Sequence, residues 1–117
     1  MTTNEEIARA FSGHRFAETY PHLAQDVRWE PVGGSTMQGR DAVIAACEQT
    51  NEYLAQATTT FRKFDVVVGS DAVVIDSLAE YAGADERSSV VASCDLYRFA
   101  DNEETAIVSY TVEITED

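Results

Sequence analysis

With 117 residues, 44% hydrophobic and 25% charged, the chain has the length and make-up of one globular domain with a single core, too short for a catalytic domain plus a regulatory one. Its 21 acidic and 8 basic residues give a formal net charge of −13, which repels phosphate backbones and anionic lipids and argues against nucleic-acid binding. The N-terminal MTTNEEIARAF carries acid where a leader peptide needs base, and no run is apolar enough to span a bilayer, so we expect a cytoplasmic protein with no membrane contact.

In chain order, NEEIARAFSGHRF has acidic residues in its first turn and Ile7, Ala8, Ala10 and Phe11 at helical spacing, which predicts a short helix stopping near Gly13. FAETYPHLA predicts a second brief helix. It leads into DVRWEPV, whose β-branched and aromatic residues predict a strand ended by Gly33 and Gly34. GRDAVIAACEQTNEYLAQA predicts the longest helix, with Val43, Ile44, Cys47 and Leu54 on one face. From Thr58 onward TTTFRKFDVVVG, DAVVIDSLAEYAG, SSVVASCDLYRF and TAIVSYTVEI read as strands separated by turns at GSD, GADE and ADNEE. Connections of hairpin length make them antiparallel neighbours. The acidic clusters DNEE and TED suit a turn and a solvated tail. Helices followed by long antiparallel strands predict the α+β class, with helices covering one face of a strongly curved sheet.

One residue in the strand SCDLYRF stands out. At period two Val91, Ser93, Asp95, Tyr97 and Phe99 share a face, so Asp95 lies between aromatics. Such a carboxylate is costly unless solvated, paired with an arginine, hydrogen-bonded or protonated. Cys47 and Cys94 sit in apolar contexts without CxxC spacing, as reduced core thiols do, and no nucleotide-binding, zinc or serine-hydrolase motif is present, so neither cofactor nor metal is expected.

LAQDVRWEPVGG, the helix start QGRDAV, and CDLYRFADNE feeding IVSYTVEI resemble the nuclear transport factor 2-like superfamily in its SnoaL-like branch, over nearly the whole chain. The resemblance implies a cone of curved sheet around the long helix, an internal pocket, and a homodimer through the outer sheet face. Within the superfamily DLYRF is similar to the strand of ketosteroid isomerase in which a carboxylic acid kept neutral by an apolar site donates a hydrogen bond to the substrate oxygen. By that resemblance Asp95 is a neutral donor, and Glu30, just before PVGG, is a general base. Period two opposes the second assignment: if Trp29 faces the pocket, Glu30 faces away unless the strand is bulged.

The first-helix tyrosine of that enzyme corresponds to Phe11 here, so one oxyanion donor is missing. Tyr20, Tyr53, Tyr97 and Tyr110 are candidates to replace it, and with Phe11, Trp29 and Phe99 they make the expected pocket lining; each is equally a core or rim aromatic. Of the two histidines, His14 at the end of the first helix is the better acid or base, although the helix dipole alone also favours a histidine there. Arg40 is expected to pair with a neighbouring acid. The expected function is acid–base chemistry of an isomerase or cyclase kind, cofactor-independent, on a small apolar or carbonyl-bearing molecule resembling a polyketide or steroid. The alternatives are a ligand-binding protein without turnover and a dimeric interaction module of the same fold.

Overall fold

The computed structural model describes residues 2–83 and 88–114; the GADE turn beyond Gly83 and the TED tail lie outside them. The first helix, α1 (Asn4–Ser12), begins where Thr3 accepts a hydrogen bond from the Glu6 amide and the Glu6 carboxylate accepts one from the Thr3 amide, each 3.1 Å. That reciprocal pair satisfies two amides the helix start leaves free. At its other end the Arg15 amide donates to the Ala10 carbonyl at 2.8 Å and the His14 amide to Phe11 at 3.1 Å, the two bonds of a Schellman motif. The left-handed residue of that motif is ordinarily glycine, yet here it is His14, at φ 66°. Gly13 precedes it with ordinary backbone, and a Cβ there would come within 2.9 Å of the Arg9 carbonyl. The helix therefore ends where GH predicts, with the roles of the two residues exchanged.

A 3₁₀ segment (Phe16–His22) leads into strand β1 (Leu23–Pro31), followed by a two-residue strand β2 (Met37–Gln38) and the long helix α2 (Arg40–Leu54). Four strands complete the chain: β3 (Ala57–Val68), β4 (Ala72–Gly83), β5 (Ser88–Ala100) and β6 (Glu103–Ile114). They form one six-stranded sheet in the order β2-β1-β6-β5-β4-β3. The antiparallel pairs β3–β4, β4–β5 and β5–β6 are those the short turns predicted. β2, and the parallel pairing of β1 with β6 through Trp29 opposite Ile107 and Pro31 opposite Ser109, were not anticipated. Register breaks between Phe61 and Lys63 and between Arg98 and Phe99 interrupt the ladder, and such bulges bend and twist a sheet locally.

The fold is α+β, a curved open sheet with its helices on the inner face, as expected. Ile7, Phe11 and Phe16 from the N-terminal helices and Val43 and Cys47 from α2 pack onto Val27, Ile75, Tyr97 and Ile107 of the sheet. Among the described residues no helix is long and apolar enough to cross a membrane.

Candidate functional site

Where α1 and the 3₁₀ segment do not fill the concave face of the sheet, a cavity of about 280 Å³ remains. The period-two reading of β5 holds inside it, for Val91, Ser93 and Asp95 all line it. Ser109, directly across the β5–β6 ladder from Asp95, hydrogen-bonds the carboxylate and accepts a bond from the Trp29 indole N–H at 3.0 Å. From α1, the Ser12 hydroxyl donates to Asp95 Oδ2 at 2.9 Å and lies 2.5 Å from the Tyr97 hydroxyl. Because Ser12 spends its one proton on Asp95, Tyr97 is the donor to Ser12.

Burial of Asp95 raises its pKa, and the hydroxyl donors, which favour the charged form, offset part of that rise. Among the described residues no lysine or arginine lines the cavity, so Asp95 has no such cationic partner there. A carboxyl group in this setting can both take and return a proton.

His14 lines the same cavity, with its ring against Phe16, Phe61 and Tyr81. Its Nε2 lies 3.0 Å from the Tyr81 hydroxyl, and its buried Nδ1 has no hydrogen-bond partner among the described residues. Burial pushes its pKa down, towards neutral imidazole. The remaining wall mixes aromatic side chains with Pro31, Thr50, Ser77 and Thr111, and Phe11 packs edge-on against Trp29 and Phe16 at centroid distances of 5.1 and 4.9 Å.

Asp95, His14, Phe11 and Trp29 of the expected residues therefore meet at one cavity, while the others lie elsewhere. Glu30 pairs with Arg28 at 3.1 Å, two positions along the same strand face, because no bulge interrupts the alternation from Trp29 to Pro31. It does not line the cavity. Tyr97 is fully buried in the core and reaches the site only through its hydroxyl, and Phe99 is buried beyond the bulge. Tyr110 is 54% exposed on the opposite face of the sheet, since the inward Ser109 sends its neighbour outward. Tyr53 is 69% exposed at the end of α2, where it borders a surface groove. Tyr20 packs against the core instead, and burial raises its phenol to about 12. Arg40 donates to the Tyr20 carbonyl at 3.1 Å, a backbone partner in place of the expected acid.

Ser12, Tyr81 and Ser109 were not anticipated. Ser109 could have been found by pairing the alternation of IVSYTVEI with that of SCDLYRF; Ser12 and Tyr81 carry no comparable signal, because helix docking brings them to the cavity. Both cysteines are free, and burial holds the Cys47 thiol at about 12. Among the described residues no group of three or more histidine, cysteine, aspartate or glutamate side chains is placed to hold a metal ion.

The sequence model of the SnoaL-like domain matches residues 5–113. Similar solved structures include an NTF2-like protein of unknown function from Cytophaga hutchinsonii, 26% identical, with TM-score 0.80 over 91% of this chain and 93% of that one. A hypothetical protein from Catenulispora acidiphila with a ketosteroid isomerase-like fold, in complex with trimethylamine, is 20% identical with TM-score 0.67, over 92% and 86% of the two chains. An LEH-like epoxide hydrolase of M. tuberculosis is 15% identical with TM-score 0.67, over 89% and 75%. The last two likenesses establish the fold alone. No curated protein matches the chain.

Proposed function

The chain belongs to the SnoaL-like domain family of the NTF2-like superfamily, and on that premise we propose a small-molecule enzyme that moves a proton on an apolar carbonyl compound without a cofactor. The observation that carries this is Asp95, a largely buried carboxyl group opening on an aromatic-walled cavity and held by Ser12 and Ser109. Proton abstraction from carbon beside a carbonyl needs a base whose pKa stands above that of an ordinary carboxylate and nearer the working pH. Burial supplies that rise, and the two serine hydroxyls hold the ionised form in place. Asp95 as carboxylate removes the proton, the electron pair passes to the carbonyl oxygen, and the protonated Asp95 returns the proton to the same carbon or to one conjugated with it.

The cavity volume, about 280 Å³, falls just below the roughly 300–1,000 Å³ usual for ligand sites, which favours a one- or two-ring substrate over a four-ring steroid. The test is the conversion of 3-cyclohexenone to 2-cyclohexenone, followed by ultraviolet absorbance. Wild-type protein should accelerate it above buffer and Asp95→Asn should abolish the acceleration by a factor of about 10²–10⁴. Equal rates in the two proteins would remove Asp95 from any such chemistry.

A second reading, a binding protein without turnover, is favoured by one fact: among the described residues Asp95 is the single carboxylate lining the cavity. It predicts ligand affinity with no acceleration. Either reading includes a homodimer, whose contact we assign to the outer sheet face, where Tyr110 and Val112 are exposed.

A further inference from the structure

If Asp95 takes a proton from carbon beside a carbonyl, negative charge gathers on the carbonyl oxygen, and a donor preorganised for that oxygen is commonly the largest contribution to catalysis. Phe11 offers none. Asp95 is already the base, and Ser12 gives its proton to Asp95.

We propose that His14, oriented by Tyr81, is the missing donor, its Nδ1–H binding the developing enolate oxygen of the substrate. The assignment rests on the proton-transfer reading of Asp95 and stands on four further observations. First, His14 and Tyr81 line the cavity that Asp95 lines, and Asp95 is near enough to Tyr81 to help push its phenol pKa up.

Second, the Tyr81 hydroxyl lies 3.0 Å from Nε2, and a phenol that donates there places the imidazole proton on Nδ1, the tautomer the proposal requires. Third, that Nδ1 is buried and has no partner among the described residues, an unsatisfied polar atom on a cavity-lining side chain that a turn of the ring towards the cavity would bring to a ligand oxygen. Fourth, His14 occupies the left-handed position of the Schellman motif, where glycine or asparagine is the unstrained choice. Left-handed backbone at residues other than glycine is over-represented at active sites. Burial adds to the case by favouring the neutral ring, in which one nitrogen alone carries a proton.

The step balances within the site. The carbon–hydrogen bond breaks as the Asp95 O–H forms, the electron pair moves onto the carbonyl oxygen, and His14 keeps its proton while hydrogen-bonding that oxygen. Tyr81 is a positioning residue: it selects the tautomer of His14.

The test has two parts on the full chain. Long-range ¹H–¹⁵N NMR reads the His14 tautomer directly. Nδ1–H in the wild type, shifting towards Nε2–H in Tyr81→Phe, is the expected result, and Nε2–H in the wild type overturns the assignment. Cyclohexanone in D₂O then serves as the probe, its α-proton exchange followed by ¹H NMR. His14→Asn, which tolerates left-handed backbone, should slow exchange by about 10²–10³-fold, and Tyr81→Phe should slow it less. Circular dichroism melting confirms that both variants fold; should His14→Asn not fold, His14→Gly takes its place. Unchanged exchange in a folded His14 variant removes His14 alone. Wild-type exchange no faster than buffer refutes the Asp95 reading, and this assignment falls with it.

Discussion

Glu104 offers the sharpest test of how burial governs this protein. Its side chain is fully buried, and neither carboxylate oxygen has a hydrogen-bond partner among the described residues. Burial raises its pKa from the ordinary 4.5 to about 8. Between those values the unfolded chain carries an ionised Glu104 while the folded chain keeps the proton. The unfolded state then binds fewer protons, so stability falls as pH rises.

At about 1.4 kcal/mol per pH, the interval 8 − 4.5 = 3.5 corresponds to about 5 kcal/mol, of which about 3 kcal/mol has been lost by pH 7. Glu104→Gln removes the titration while keeping the shape. Urea unfolding of both proteins from pH 5 to 8.5 isolates the effect, because every other titrating group cancels in the difference. The stability of Glu104→Gln relative to wild type should grow by about 1.4 kcal/mol per pH up to about pH 8 and then level off. The amide's own burial cost changes the offset and leaves the slope intact. A difference independent of pH would refute the claim that Glu104 is protonated in the fold.

Three other outcomes follow from the geometry. Tyr97→Phe removes the donor to Ser12 and a neighbouring hydroxyl of Asp95, so the Asp95 pKa, measured by carboxyl NMR titration, should rise further above its ordinary value than in wild type; a fall would contradict the donor assignment. Glu30→Gln breaks only an exposed pair with Arg28 and should change stability by under about 1 kcal/mol and leave ketone exchange intact; loss of exchange would return Glu30 to the site. Sedimentation at micromolar concentration should show a dimer that Tyr110→Glu and Val112→Glu weaken, and a monomeric wild type would rule out the outer-face contact.

The sequence by itself determined the pieces whose causes are local. Acidic residues and helical spacing placed α1, the run from Val43 to Leu54 placed α2, and short turns joined β3 to β6 into antiparallel neighbours. Alternation along β5 also put Asp95 on the inner face, and alternation along β1 turned Glu30 away from the cavity that Trp29 lines. The tertiary structure decided what depends on contact between distant segments. β1 meets β6 in parallel across some eighty residues of chain, with Pro31 opposite Ser109. Docking of α1 brings Ser12 to Asp95, a separation of 83 positions, and brings His14 to Tyr81. Period two states which side of a sheet a residue takes, but not whether a helix will cover it. Tyr97 and Asp95 share a face and yet differ in fate, one sealed in the core with the Phe11 ring against it and the other open to the cavity.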